Sequence, residues 1–221
     1  MPPNYSVSEE NYIKSIHYLQ QVNEAVSTSA LAEHLNAKPA SITEMLKKLQ
    51  AKGLLLYNPY KTFRLSKEGN KVALIIIRRH RLWEFFLVDK LQFSWEEVHE
   101  VAEELEHVRS KKLIDKLDAF LSYPKFDPHG DPIPDANGKI NIQQQLPLSR
   151  LPLNKQAVIT AVQDQSSELL SFLSSLNIVI GTRLEIKRRL AFDNSLEIKC
   201  RNKQAVNISE QVAKAIQVNP L

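Results

Sequence analysis

Six side chains in the middle of the chain have the types and spacing of a metal centre. His80 and Glu84 stand four residues apart, so on a helix they stack on one face. His99, Glu103, Glu106 and His107 follow at spacings of four, three and one, which on a second helix keeps all four on or near one stripe. Two such stripes on consecutive helices can converge on a borderline divalent ion. Imidazole with carboxylate suits Mn(II), Fe(II), Co(II), Ni(II) or Zn(II), and the lack of thiolate in the set disfavours a soft ion. The residues also fit a plainer arrangement, with His80–Glu84 as a surface ion pair and Glu96, Glu97, Glu100, Glu103 and Glu104 as a solvated acidic face. Six donors on two adjacent helices favour the metal. A di-iron carboxylate bundle is the rival chemistry, since Glu96-x-x-His99 and Glu104-x-x-His107 each match its helical element. That bundle needs the two elements on different helices, and here both fall on one. No Gly-rich phosphate loop, Gly-x-Ser-x-Gly elbow or His-Glu-x-x-His pattern occurs, so neither an enzyme nor a small-molecule substrate is expected.

The elements that must carry these side chains follow from apolar period and breakers. Glu9–Gln21 and Ser27–Leu35 read as helices, and a third runs from Pro39 to Lys52 between a proline at its first turn and Gly53 just past its end. Leu54–Tyr57 and Thr62–Leu65 read as a hairpin. This order is that of a winged helix-turn-helix. On the third helix the outward residues Ser41, Thr43, Lys47 and Lys48 follow Lys38 and Pro39 at its entrance, with short hydroxyls placed for base edges and lysines for phosphates. Lys61 and Arg64 give the wing its charge for the DNA backbone. A long helix from Asn70 to Leu91 holds His80 and Glu84. The next starts at Ser94, with Glu97 completing a capping box, and extends to Val108 with the four further donors. Another helix spans Ser110–Leu121, a Pro-rich stretch reads as linker, and alternating strands with one helix at Ser167–Leu176 make a small β-barrel.

Composition agrees with this division. The chain has 221 residues and a formal net charge of +4. Residues 1–81 hold 12 basic against 6 acidic side chains and residues 82–125 hold 6 against 10, a basic third for an anionic polymer beside an acidic stretch for a cation. The single Cys200 permits no internal disulfide, the longest apolar run is the six residues Val72–Ile77, and Met1–Glu10 lacks a signal-peptide pattern. A cytoplasmic protein with no membrane partner is expected.

The stretches Ser8-Glu9-Glu10-Asn11-Tyr12, Arg78-Arg79-His80-Arg81-Leu82-Trp83-Glu84, Glu103-Glu104-Leu105-Glu106-His107-Val108 and Asp127-Pro128-His129-Gly130-Asp131-Pro132-Ile133-Pro134 resemble the metal-dependent transcriptional repressors of the diphtheria toxin repressor type, including manganese transport regulators. The resemblance implies a mainly α chain with a small β domain: a winged helix-turn-helix at 1–72, a helical metal-binding and dimerisation domain at 73–135, a linker at 136–150 and a Src-homology-3-type β-barrel at 151–221. It implies two metal sites per subunit. His80, Glu84 and His99 match an ancillary site completed from the barrel, for which Asp164, Gln165 and Glu168 are candidates. Glu103, Glu106 and His107, with Asn11 of the first helix, match the primary site. Where the iron-responsive branch has a cysteine this chain has Glu103, a harder donor that favours Mn(II), with Fe(II) next. Short manganese regulators have two acidic first-helix residues where this chain has Asn11 and Lys14. The implied output is repression of metal-homeostasis genes by a homodimer on double-stranded operator DNA, with Trp83, Phe85, Phe86, Val88 and Leu113–Leu121 at the dimer contact. Two alternatives predict different behaviour: a metal-independent winged-helix regulator and a carboxylate-bridged metalloenzyme.

Overall fold

Ser6 opens the chain's first helix by accepting from Glu9 N while the Glu9 side chain returns to the Ser6 N–H, a complete capping box. That helix, α1, runs Val7–Val22. A short strand β1 (Val26–Ser27) leads into α2 (Thr28–His34), capped by the Ser27 hydroxyl, and then α3 (Pro39–Ala51). The entrance of α3 has no side-chain cap, because Lys38 stands at the N-cap position, and Pro39 occupies the first turn. Strands β2 (Leu55–Asn58) and β3 (Thr62–Leu65) pair antiparallel, and β1 joins the free edge of β3. These elements close over one apolar core that includes Ile13, Ile16, Leu31, Ile42, Leu46, Leu49 and Phe63. Apolar positions at helical period bury one face of α1 and α3 and leave the polar residues outside. The computed structural model describes residues 5–58, 62–140, 144–200 and 204–221. Lys61 lies outside the described residues.

Helix α4 spans Lys67–Leu91, followed by α5 (Val98–Leu105) and α6 (Lys111–Phe120). Leu82, Ile114, Leu117, Leu121 and Ile133 form a second core, with Trp83, Phe85 and Phe86 packed on it. Helix α5 is shorter than its periodicity predicts. Ser94 is no helix cap; its hydroxyl donates to the Glu97 carboxylate at 2.6 Å, and turn residues precede Val98. At the other end the helix stops at Leu105, where Val108 N closes a turn on Leu105 O. Glu106 and His107 therefore lie beyond the helix, and the expected single stripe of four donors does not form.

The third core is a six-stranded antiparallel sheet in the order β4-β9-β5-β6-β7-β8. Its strands are β4 (Leu146–Pro147), β5 (Gln156–Val162), β6 (Arg183–Arg189), β7 (Leu196–Cys200), β8 (Ala205–Ile208) and β9 (Ile216–Pro220), with helices α7 (Ser167–Ser175) and α8 (Glu210–Ala215). Alternate residues of these strands, among them Ile159, Leu184, Ile186, Leu196, Ile198 and Cys200, enclose the core. Leu146–Arg150 belongs to this domain and not to the expected linker: Leu146 pairs with Val218, and Leu148 is fully buried. Strand β9 and helix α8 are additions to the sequence reading. By contact the chain divides into two units, residues 1–80, 105–111 and 134–139 in one, and 81–104, 112–133 and 140–221 in the other.

Candidate metal centres and nucleic-acid interface

The turn after α5 sends Glu106 inward, where its carboxylate is fully buried. One oxygen, Oε2, lies 2.7 Å from His80 Nδ1 of α4 and 2.8 Å from Lys14 Nζ of α1. Burial alone pushes this carboxyl up, but His80 and Lys14 together outweigh it and hold it below the usual carboxylate range. The other oxygen, Oε1, accepts no hydrogen bond and is 3.8 Å from His107 Nε2. His107 Nδ1 is 2.7 Å from Glu10 Oε2, and the other Glu10 oxygen faces Arg79 at 3.2 Å and Arg109 at 3.6 Å. A carboxylate on one ring nitrogen fixes the imidazole's tautomer and turns the other nitrogen's lone pair toward Glu106, an arrangement typical of metal-ligating histidine. The buried Asn11 Oδ1 likewise accepts no hydrogen bond. The orphaned oxygen of Glu106 beside a poised imidazole fits a borderline divalent ion.

A second cluster joins Glu84 to a proline-rich loop from which the sequence reading drew no ligand. In Asp127–Asp131, Asp127 Oδ1 accepts from both His129 N and Asp131 N at 2.9 Å, and Gly130 turns at φ +87°. The His129 carbonyl accepts from Val162 N of β5, which seats the loop on the sheet. His129 is fully buried and stacked on Trp95; its Nε2 is 2.7 Å from the Trp95 carbonyl and so donates, leaving Nδ1 as a lone pair 3.8 Å from Glu84 Oε1. Glu84, Asp127 and His129 each bring a donor atom within 4.8 Å of the others. His129 Nδ1 and Asp127 Oδ2 take part in no hydrogen bond, although Arg81 Nε approaches Asp127 at 3.4 Å. Burial, then Glu84 and Asp131, raise the Asp127 carboxyl well above its ordinary range. A buried carboxyl forced toward its neutral form by other carboxylates is a group that a cation would relieve.

The remaining sequence candidates are distributed around these two clusters. His99 Nδ1 is 3.3 Å from Glu84, and its Nε2 is 3.5 Å from the half-exposed Glu103, the two partners that raise its pKa to about 9. Glu103 thus pairs with His99. Of the barrel candidates, Gln165 Nε2 donates to Asp131 at 3.2 Å. Asp164 is exposed and accepts from Ser166 N at the entrance to α7, and Glu168 accepts from Ser167. Glu10, Asp127 and His129 were missed by pattern. Their signal was polar: two adjacent carboxylates inside a capped first turn, and Asp-x-His-Gly-Asp framed by prolines.

On the winged helix-turn-helix, Lys38, Pro39, Ser41, Thr43, Lys47 and Lys48 are all exposed along α3, and Arg64 is exposed on β3. The Thr43 hydroxyl donates to Pro39 O at 3.0 Å, and Lys48 pairs with Glu44 one turn back at 3.0 Å.

Three families match successive parts of the chain: the iron-dependent repressor N-terminal DNA-binding domain at residues 5–63, the iron-dependent repressor metal-binding and dimerisation domain at 66–135, and the FeoA domain at 146–220. A solved structure described as a manganese-dependent transcriptional repressor in complex with manganese is 32% identical, with a TM-score of 0.87 over 96% of this chain and all of that one. The chain belongs to the iron-dependent repressor family. This family consists of DNA-binding metalloregulators, not enzymes, and its three-domain architecture is the one described above. The iron-dependent repressor IdeR of Mycobacterium leprae is 26% identical over 222 residues, 95% of both chains. The Mycobacterium bovis repressor of that name is 31% identical over 125 residues, 57% of this chain, and the matched stretch spans only 54% of that protein. Among the described residues, no helix of this family member is long and apolar enough to cross a membrane.

Proposed function

We infer that this chain is a metal-gated repressor, active as a cytoplasmic homodimer on operator duplex, with Mn(II) preferred and Fe(II) next. One observation carries the reading: in each of two buried clusters an imidazole has one nitrogen committed to a partner and the other facing a carboxylate. His80, Glu106 and His107, with Asn11, would hold one ion; Glu84, Asp127 and His129 would hold the other, with His99 and Gln165 at its edge. A bound divalent ion supplies the positive charge that these acidic clusters otherwise draw from protons and lysine. Every assigned donor is nitrogen or oxygen, which suits Mn(II) and Fe(II) better than a soft ion.

The gate follows from where α1 is anchored. Ile13 and Ile16 of α1 pack into the core that also holds Ile42, Leu46 and Leu49 of α3, while Glu10 and Lys14 on the same helix reach His107 and Glu106. A ligand that binds the assembled cluster better than the separated one shifts the population toward the assembled state. In a twofold dimer that state holds the two α3 helices at a fixed spacing for successive major grooves. Trp83, Phe85 and Phe86, with Phe120 63% exposed beside them, would form the dimer contact. The test is duplex binding by fluorescence anisotropy after chelation and then with Mn(II), Fe(II) or Zn(II) added singly. Tight binding is expected only with metal. Duplex affinity indifferent to chelation refutes the gate.

A further inference from the structure

Lys14 has no place in a set of metal ligands, yet its ammonium pairs with the buried carboxylate of one. The residue is 7% exposed, and Nζ is 2.8 Å from Glu106 Oε2, the oxygen that also faces His80 Nδ1 at 2.7 Å. A fully buried carboxylate needs a counter-charge, and stripping one from a buried pair is strongly destabilising. Without metal, this lysine provides that counter-charge and ties α1 to the turn after α5. With metal, it either repels the incoming ion as a like charge at short range or swings aside on its flexible stem and gives up its pair with Glu106, and both outcomes cost the ion affinity.

We propose that Lys14 is a built-in competitor of the metal: its ammonium stands in for the divalent ion in the metal-free protein and sets the concentration at which the ion can take over. This rests on reading the Glu106–His107 cluster as a metal site. Two consequences separate it from a merely structural lysine. Neutralising the side chain should tighten metal binding while weakening the metal-free fold, whereas a lost structural contact weakens both. Keeping the charge on another side chain should keep the competition.

The experiment compares the full chain with Lys14→Gln, Lys14→Met and Lys14→Arg, measuring Mn(II) affinity by titration calorimetry and the metal-free melting temperature by circular dichroism. Lys14→Gln and Lys14→Met should bind Mn(II) at this site about tenfold tighter or more, the equivalent of about 1.4 kcal/mol, and melt lower without metal. Lys14→Arg should do neither. Neutral variants that bind no tighter than the parent, or an arginine variant as tight as the glutamine one, overturn the proposal. If a neutral variant folds only with metal, its intrinsic dissociation constant is taken from the Mn(II)-dependent folding midpoint after the cost of folding is removed: a value below the parent's supports competition and one above it refutes it. Glu106→Ala tells the two layers apart. It should lose one bound Mn(II) per chain; if it loses none, the site assignment itself is wrong and the role of Lys14 falls with it.

Discussion

Gly130 is the point at which a single methyl group should uncouple the second cluster from the fold. Its φ of +87° lies in the left-handed region, which costs an L side chain roughly 1–2 kcal/mol. A Cβ there would also come within 2.0 Å of Thr160 O and 2.7 Å of Ala161 Cα, both backbone atoms that cannot rotate away. Forcing the loop off the strand adds about 1–3 kcal/mol, the usual penalty for overpacking. Gly130→Ala should therefore lose roughly 2–5 kcal/mol in urea melts of the metal-free protein. Gly181 provides the control, since its φ of +85° is nearly the same and a Cβ there meets nothing within 4 Å. Gly181→Ala should lose only the conformational part, about 1–2 kcal/mol. The Gly130 loop also carries His129, whose carbonyl holds Val162 N, so the same substitution should weaken Mn(II) binding at Glu84–Asp127–His129 by about 10–100-fold, the scale on which the supports of metal ligands act. Equal stability losses for the two alanine variants would refute the contact argument. Unchanged Mn(II) affinity in Gly130→Ala would refute the link between loop and site.

Two further outcomes test the electrostatics and the DNA surface. His99 is held charged by Glu103 and Glu84 with a pKa of about 9 against 6.5, so its stabilisation is complete below pH 6.5 and is lost as pH rises through about 9; His99→Gln should flatten that part of the metal-free stability curve, and an unchanged pH profile excludes the pairing. On α3, Thr43→Val should change which operators are preferred, at about 1–3 kcal/mol for a lost base contact. Lys48→Ala or Arg64→Ala should instead weaken all duplexes alike and make the salt dependence shallower by about one unit per phosphate contact; a uniform loss for Thr43→Val removes it from base readout.

The winged helix-turn-helix was legible because its signals are local. Pro39 at the first turn of α3, the Ser27 cap and the alternating hairpin each act within a few residues of themselves. His80, Glu84 and His99 stood out for the same reason, as donors at helical spacing. The extent of α5 was not legible, because Glu106 and His107 continue the period that Leu105 ends; the turn there is dictated by burying Glu106 against His80 and Lys14, a contact 92 residues distant in sequence for the lysine. His129 and Asp127 were hidden by composition. Prolines around them signal a connection, while the hydrogen bonds of Asp127 Oδ1 and the seat on Val162 that make the loop rigid are invisible without the sheet. Strand β9 escaped because α8, six residues long, runs directly into it with no breaker between.

The sulfur inventory sets what this protein ignores. Its one thiol, Cys200, is 2% exposed on β7 inside the barrel core, and neither candidate metal cluster contains sulfur. A structural thiol this deeply buried is slow to meet an oxidant from solution. Peroxide and disulfide stress thus find no thiol in either candidate cluster. At these clusters an oxidant would meet imidazole, carboxylate and the valence of a bound ion rather than a thiolate, so a regulator loaded with Mn(II) would go on reading metal supply through an oxidative burst that would disable a thiolate-ligated sensor.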